Sequence, residues 1–366
     1  MTMMNGRFQG TPGAAGTPGT QGVRSLGRVG LWGAPASGKT TFLAALNIAV
    51  SQAPMEDLMI YGVDDTSTDF LVENTAKLTS DRRFPDATQS GSQYSWVLRM
   101  ATQVPEKKFM KTKMTTVPLE LNLDLLDEPG RSFGDTPDLG TGTTSRPSGA
   151  NLGFDDDDPA DAVGGDFGAP VSEDDVMDQL ASCDGLLLLF DPTREWREGD
   201  AYNYFQGTLL RIAQRRMAGG GPGGRLPQYV AVCVTKFDHP DVYRRAKVRG
   251  YRSFSMDDPA LFPRVPDELA EKFFAELVRE GKKGNAELIG STLRKFFIPD
   301  RVKFFITSAI GFHKNPRSSR FQEADFMNIV PQESGAPPLI RGPIHPINVV
   351  EPLIWLGQNL SRPGNR

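Results

Sequence analysis

The sequence predicts an α/β fold built on a mostly parallel, doubly wound sheet. Short apolar runs typical of buried strands alternate with segments that have helical apolar spacing. A glycine-rich loop also joins the first such run to the first helical segment. Alternating strands and helices of this kind form parallel sheets with right-handed crossovers. Because ligands bind at the carboxyl ends of such strands, we expect the functional residues in the loops that follow them.

The composition is that of an ordinary globular protein of 366 residues with a formal net charge of -4. This charge does not favour nucleic acid as a partner, because nucleic-acid binding needs a basic surface. Cys183 and Cys233 each lie in an apolar run, which favours buried, reduced thiols and a cytoplasmic location. No apolar run approaches the roughly 20 residues needed to cross a bilayer, so we expect no membrane span.

Two segments differ in composition from the rest of the chain. Residues 1–27 are rich in Gly, Thr and Pro and predict a disordered tail, and residues 28–366 are expected to form one domain. Within that domain, residues 131–172 are dominated by Gly, Asp, Ser, Thr and Pro. This composition predicts a low-complexity acidic insertion without a core of its own.

The first half of the domain begins with the strand "RVGLW" and the helix "KTTFLAALNIAVSQ". A second strand, "LMIYGVD", and a second helix, "TDFLVENTAKLTS", are expected to follow. Next come "YSWVLRMAT" and "TTVPLELNLDLL", which are rich in β-branched and aromatic residues. They predict a hairpin, with the basic stretch "PEKKFMKTK" as its solvated connection, so one strand of the sheet should be antiparallel.

The second half continues the alternation after the insertion. A capped helix, "SEDDVMDQLASC", precedes the buried strand "DGLLLLFD". The helix "AYNYFQGTLLRIAQRRMA", the strand "QYVAVCVTKFD" and additional helices over residues 266–297 come next. "RVKFFITSA" is the last predicted strand, and "INVVEPLIWLGQNL" is a closing helix with Pro352 near its first turn.

The stretch "LWGAPASGKTTF" has the spacing G-x-x-x-x-G-K-T and predicts a phosphate-binding loop between a strand and a helix. Backbone N–H groups of such a loop point at phosphate oxygens, and the following helix adds the positive end of its dipole. Lys39 is expected to neutralise the β and γ phosphates, and Thr40 to ligate Mg²⁺. The expected phosphate contacts are Gly33, Ala36, Ser37, Gly38, Lys39, Thr40 and Thr41.

A second candidate site is "LDLLDEPG", where an apolar strand ends in Asp127 and Glu128. An acid at a strand end beside a phosphate loop can hold Mg²⁺ through water, which we expect of Asp127. Two interpretations compete. Glu128 could activate water, as in the "LLLDEP" of transporter-type ATPases, or Asp127 and Gly130 could form the D-x-x-G of GTPases, whose glycine N–H senses the γ phosphate.

Two further stretches favour guanine. "AVCVTKFD" places Thr235, Lys236 and Asp238 after a buried strand, as in the T-K-x-D variant of a guanine-binding motif. A carboxylate at Asp238 can accept hydrogen bonds from guanine N1 and N2, which adenine does not offer as donors. "FFITSAIG" ends the last strand with Ser308 and Ala309, whose backbone could support guanine O6.

With these four motifs the chain resembles the translation-factor-related and Ras-like class of P-loop GTPases over residues 28–311. The T-K-x-D form and the closing "INVVEPLIWL" are also similar to poorly characterised bacterial GTPases of multi-gene conflict or signalling systems. The resemblance implies a Ras-like topology, GTP or GDP with Mg²⁺ as cofactors, and an unidentified protein effector or regulator. The "LSGGQ" signature of transporter-type ATPases is absent from the sequence, which favours GTP over ATP.

The chain also departs from that class. Arg131 follows Gly130 at the position where Ras-like members often have the glutamine that orients water. Intrinsic hydrolysis should therefore be slow or use another residue, for which Glu128 and Arg131 are the candidates beside Lys39. Thr88 is the expected Mg²⁺ ligand of the first switch, and the rival candidates are Thr66, Thr68 and Thr79.

The sequence thus predicts a GTP-dependent molecular switch that binds GTP and Mg²⁺, hydrolyses GTP slowly and is controlled by a partner. Two alternatives stay open at this point. One is a P-loop ATPase that uses turnover as fuel, and the other is a nucleotide-holding scaffold without hydrolysis.

Overall fold

A computed structural model describes residues 24–86, 93–108, 111–126, 172–218, 224–281, 284–332 and 337–362. The elements of the first half are β1 (Arg24–Gly33), α1 (Lys39–Gln52), β2 (Met59–Gly62), α2 (Asp65–Thr79), β3 (Gln93–Lys108) and β4 (Lys111–Leu126). Those of the middle are α3 (Glu173–Ser182), β5 (Gly185–Phe190), α4 (Pro192–Glu198), α5 (Ala201–Ala218), β6 (Tyr229–Val234) and α6 (Pro240–Val248). The remaining elements are β7 (Ser253–Phe254), β8 (Pro263–Arg264), α7 (Asp267–Arg279), α8 (Glu287–Phe296), β9 (Val302–Ile306), β10 (Ile329–Val330), β11 (Leu339–Ile340) and α9 (Glu351–Leu360).

A seven-stranded sheet with the order β2-β3-β4-β1-β5-β6-β9 forms the centre of the fold. β1 lies between β4 and β5 and is parallel to both, and β5, β6 and β9 continue the parallel ladder. β3 runs antiparallel to both of its neighbours, β2 and β4. The predicted α/β fold with a mostly parallel sheet and one antiparallel strand is therefore confirmed.

Helices cover both faces of the sheet because the central strands are apolar on both sides. Every residue of β5 and β6 is buried. Leu186 and Leu188 pack with α3, α5, α7 and α8, while Leu187 and Leu189 pack on the opposite face with α1 and α9. Cys183 and Cys233 are buried free thiols, as predicted. Because helices pack on both faces of the sheet, the strands are held in place, and so are the strand ends at which the candidate site lies.

The structure differs from the sequence prediction at the strand ends. β1 begins at Arg24, inside the stretch that we assigned to the tail. The basic stretch predicted as a hairpin connection belongs to the strands, because the β3–β4 ladder continues from Gln93 opposite Leu126 to Lys108 opposite Lys111. Lysine side chains leave the backbone ladder intact, so charge alone does not mark the turn.

Two short helices, α4 and α6, are absent from the prediction. Each begins with proline, and each is capped by the preceding side chain, Asp191 for α4 and His239 for α6. They are too short to show a helical apolar period. The predicted helices over residues 266–297 are present as α7 and α8, and Pro352 lies in the first turn of α9.

The predicted tail up to residue 23 and the acidic insertion up to residue 171 lie outside the described residues. Within the described residues, no helix combines the length and the apolarity that a membrane crossing requires.

Candidate nucleotide-binding site

The loop between β1 and α1 has the backbone of an anion-binding turn. Ala36 and Gly38 both adopt left-handed conformations, with φ of 57° and 93°. Gly38 precedes α1, which has no side-chain cap and no acidic residue in its first turn. An uncapped helix N-terminus attracts negative charge through its N–H groups and its dipole. The predicted phosphate loop therefore has a backbone that suits phosphate.

Glycine is required at Gly33 by close packing against β5. A Cβ atom there would lie 2.7 Å from both the Leu189 carbonyl oxygen and the Ser37 hydroxyl oxygen. The Lys39 ammonium donates a hydrogen bond to the Gly33 carbonyl at 3.1 Å, which holds Lys39 across the loop. Thr40 and Thr41 follow in the first turn of α1. The start of the loop is thus packed against β5 at Gly33, and the Lys39 side chain links the end of the loop back to its start.

A water-sized cavity lies behind the loop. Its volume is about 20 Å³, and Ser37, Asp191 and Arg194 are among the residues that line it. The Ser37 hydroxyl is buried and has no hydrogen-bond partner among the described residues. Because a cavity of this size holds one water molecule, a bound water would satisfy this hydroxyl.

The T-K-F-D segment after β6 lies next to the phosphate loop. The Thr235 hydroxyl is 3.5 Å from the Ser37 carbonyl oxygen and 3.2 Å from the Phe190 carbonyl oxygen. Lys236 adopts a left-handed conformation with φ of 59°. Two motifs that are about two hundred residues apart in the sequence are therefore brought into contact at one edge of the sheet.

Asp238 and Ser308 also come together as expected. Asp238 is 7% exposed, and its carboxylate accepts a 2.5 Å hydrogen bond from the Ser308 hydroxyl. The Gly311 N–H donates in turn to the Ser308 hydroxyl oxygen at 2.8 Å. Burial raises the pKa of Asp238 to about 6, although the Ser308 hydrogen bond acts in the opposite direction. The carboxylate is oriented by the loop that we expected to contact the base.

The backbone of Ser308, one of the two residues predicted to support guanine O6, is paired within the protein. The Ser308 N–H donates to the Ile347 carbonyl at 3.0 Å, and the Ile347 N–H donates back to the Ser308 carbonyl at 2.8 Å. The Ser308 backbone is therefore engaged by the segment that leads to α9. Of the two predicted residues, Ala309 is the one whose N–H is the candidate donor to a base oxygen.

Aromatic packing joins the two base-side loops. Phe237, inside the T-K-F-D segment, lies edge-on to Phe312 with ring centroids 5.4 Å apart, and Tyr243 contacts both rings. All three are buried. Each phenylalanine lies within or directly after a predicted motif, but the sequence gives no sign that the two meet.

Asp191 is a site residue that the sequence analysis missed. Its carboxylate lies 2.5 Å from the Lys236 ammonium and also accepts a 2.8 Å hydrogen bond from the Thr193 N–H at the start of α4. The Thr193 hydroxyl lies 3.4 Å from the same ammonium. An acid directly after the buried run "GLLLLF" is the same signal that singled out Asp127, and it could have identified Asp191.

Five predicted site residues lie outside the described residues: Thr88, Asp127, Glu128, Gly130 and Arg131.

The described end of β4 nevertheless lies beside the phosphate loop, since Leu125 pairs with Leu31, two positions before Gly33. Among the rival switch threonines, the hydroxyls of Thr68 and Thr79 donate to carbonyls of α2 and its cap. The choice among Thr88 and its rivals therefore stays a prediction.

Comparison with known proteins gives little further information. No protein-family model matches the chain, and no curated protein sequence matches it. Among solved structures, the chain is similar to a crystal structure of Sup35 complexed with GMPPNP, at 13% identity and a TM-score of 0.25. That similarity covers 79% of this chain, which spans 38% of the Sup35 chain. The function is therefore inferred from this chain's own residues.

Proposed function

We propose that the protein binds GTP with Mg²⁺, hydrolyses it slowly and acts as a molecular switch for a protein partner. One observation carries the proposal. The Asp238–Ser308 pair lies on the same sheet edge as the phosphate loop, and Thr235 bridges the two through the Ser37 carbonyl. A base-reading carboxylate and a phosphate-binding turn at this edge suit a nucleoside triphosphate.

Guanine is favoured over adenine by the hydrogen-bonding capacity of the base loops. An ionised Asp238 can only accept, and guanine offers donors at both N1 and N2. Adenine offers no donor at its N1 to the Asp238 carboxylate. Its amino group would face the Ala309 N–H, and no hydrogen bond can form there because both groups are donors. We assign the stem of Lys236 to the face of the base, and the ion pair of its ammonium with Asp191 supports this role by restraining the side chain.

The remaining predicted residues have proposed roles near the phosphate groups of the nucleotide. Lys39 neutralises phosphate charge, and Thr40, Thr88 and Asp127 are the proposed Mg²⁺ ligands. Bound Mg²⁺ would supply charge neutralisation on the β and γ phosphate oxygens. Glu128 and Arg131 are the proposed groups that orient water, and the arginine in the place of glutamine is the reason to expect slow turnover.

Base choice is the sharpest test of the proposal. In Asp238→Asn, an amide that can accept at only one position replaces the carboxylate, so GTP binding should weaken by about 2 to 4 kcal/mol. Xanthine has an oxygen where guanine has its amino group, so the variant should prefer xanthosine triphosphate. Affinities of GTP, xanthosine triphosphate and ATP are measured for both proteins by competition with a fluorescent GTP analogue.

Asp241→Asn is the matched control, because Asp241 lies in α6 with its side chain 49% exposed. It should bind all three nucleotides as the wild type does. Unchanged GTP affinity in Asp238→Asn, or tighter binding of ATP than GTP by the wild type, would reject the guanine assignment and favour the ATPase alternative.

A single-turnover assay separates the switch from a scaffold. With enzyme in excess over GTP, the wild type should form GDP slowly, and Glu128→Gln or Arg131→Ala should slow this step without weakening GTP binding. A wild type that binds GTP and forms no GDP would favour the scaffold without hydrolysis.

A further inference from the structure

We propose that the outer edge of β2 binds an extended, basic-flanked segment of a partner protein, which adds a strand to the sheet. The proposal concerns a surface at the far edge of the sheet from β9 and does not depend on nucleotide binding. Its support comes from the backbone, the exposed side chains and the charges around β2.

The backbone of β2 offers an unoccupied edge within the described part of the chain. β2 is the terminal strand of the sheet and pairs only with β3 there. The Val63 N–H donates to the Ser95 carbonyl at 2.9 Å, so Val63 faces β3. Because N–H groups alternate in direction along an antiparallel strand, those of Ile60 and Gly62 point away from β3. An incoming strand could pair with them.

The side chains along this edge form an apolar stripe. Met59, Tyr61 and Val63 alternate along the strand, so they share one face of the sheet, and they are 46%, 43% and 59% exposed. Met55, just before the strand, is 49% exposed. Edge strands are protected from pairing by lysine or other charges, by proline, by a bulge or by being short. Residues 55–65 contain no lysine, proline or bulge, and the protection that β2 has is its length of four residues and its acidic flanks. Both leave the edge accessible to a short segment of opposite charge.

The charges at both ends of the strand indicate the chemistry of the partner. Glu56 and Asp57 precede β2, Asp64 and Asp65 follow it, and all four are exposed, although Asp64 also caps α2 by accepting from the Ser67 N–H. One basic residue of β3, Arg99, lies opposite Met59 of β2 and Glu120 of β4, so a single cation lies beside these acidic groups. Acidic residues at both ends of an apolar stripe complement a segment with an apolar centre and Lys or Arg at each end.

The same charges oppose pairing with a second copy of this chain. A second copy would bring its own Glu56, Asp57, Asp64 and Asp65 to the same edge, so two sets of exposed acidic residues would meet beside a ladder only four residues long. Like charges brought together across an interface oppose association. A basic partner segment is therefore the favoured occupant.

A cavity adjoins the start of β2 and could receive a side chain of the added segment. Its volume is about 320 Å³. Met100, Leu119 and Ile354 are apolar residues of its wall, and Glu56 and Asp57 contribute acidic groups. A long side chain with an apolar stem and a cationic end, such as lysine or arginine, matches this combination.

The test uses the full chain and synthetic peptides, with binding followed by fluorescence anisotropy. The probe alternates valine and threonine and carries two lysines at each end. It should bind the wild type, and a peptide with glutamates in place of the lysines should bind at least about tenfold more weakly. Two further peptides are N-methylated at every valine or at every threonine. One of these should lose binding, because only one edge of the added strand faces β2.

Variants of the protein locate the site. Glu56→Lys combined with Asp57→Lys should weaken binding of the lysine peptide about tenfold or more, and Asp257→Lys, in an exposed turn between β7 and β8, should leave it unchanged. Equal binding of both charge types, or retained binding by both N-methylated peptides, would overturn the proposal. So would a concentration-dependent dimer in sedimentation that Met59→Lys abolishes, since a second copy would then occupy the edge.

Discussion

The proposed recognition of guanine by Asp238 should be sensitive to acid. Its burial raises its pKa to about 6, while guanine needs the ionised carboxylate to accept from N1 and N2. As the pH falls through 6, protons compete with the base for the carboxylate. We therefore expect the wild-type affinity for GTP to decline as the pH is lowered from 7 to 5.

The measurement is the ratio of GTP affinities of the wild type and Asp238→Asn across this pH range. Phosphate ionisation affects both proteins alike and cancels in the ratio, so the ratio should decrease towards acid pH. A ratio that stays constant between pH 7 and 5 would show that Asp238 does not titrate at the base.

Lys39 should matter for binding and not for folding. Its ammonium contacts the Gly33 carbonyl at 3.1 Å and is expected to neutralise phosphate, and it contributes nothing to the apolar clusters. Lys39→Ala should abolish tight nucleotide binding and leave the unfolding transition in place. Calorimetry with GTP and thermal unfolding check both statements, and Lys295→Ala, an exposed lysine of α8, is the control. Normal GTP binding by Lys39→Ala would contradict the phosphate-loop assignment.

The contact between the Phe237 and Phe312 rings holds the loop after β6 against the loop after β9. Phe312 is fully buried among aromatic rings, so Phe312→Ala leaves a cavity that the surrounding rigid rings cannot fill. We expect the free energy of unfolding to fall by about 3 to 5 kcal/mol, measured by urea denaturation.

The control is Phe254→Ala in β7, where the ring is 44% exposed. It should cost much less. A loss of under about 1 kcal/mol for Phe312→Ala would mean that the ring contact adds little to the backbone and to the Asp238–Ser308 hydrogen bond in holding the two loops together.

The elements also show what the sequence could and could not predict. β5 and β6 were predicted because six consecutive buried residues leave a continuous apolar run, and α1 because its apolar positions repeat with helical spacing. α4 and α6 were missed because their starts depend on caps from Asp191 and His239 rather than on periodicity.

The fold of the whole chain brings together motifs that are far apart in the sequence. The sequence shows the order of these motifs but not their contacts. The glycine loop and the T-K-F-D segment were identified from residue spacing and from the buried strands that precede them, and their contact through Thr235 agrees with a shared sheet edge. The partners of these motifs could not be predicted. The Asp191–Lys236 ion pair and the Ser308–Ile347 backbone pair depend on how distant segments pack.

The acidic insertion is expected to contribute little to the stability of the folded chain. Residues 135–171 are poor in large apolar side chains and rich in Gly and Asp, so their sequence predicts little burial. Because loop length costs free energy only logarithmically, deleting them should leave the melting temperature within a few degrees. Differential scanning calorimetry of the deletion variant checks this, and loss of the cooperative transition would contradict it.

The central place of β1 has a consequence for how the chain is made. β1 is near the start of the sequence, but one of its two neighbours, β5, pairs through Val29 opposite Gly185, and these residues are 185 − 29 = 156 positions apart. At synthesis rates of about 5 to 20 residues per second, the ribosome needs roughly 8 to 30 seconds to supply that neighbour. Throughout that interval the apolar residues Val29, Leu31 and Trp32 lack part of their cover, so we expect the newly made chain to be prone to aggregation until β5 emerges.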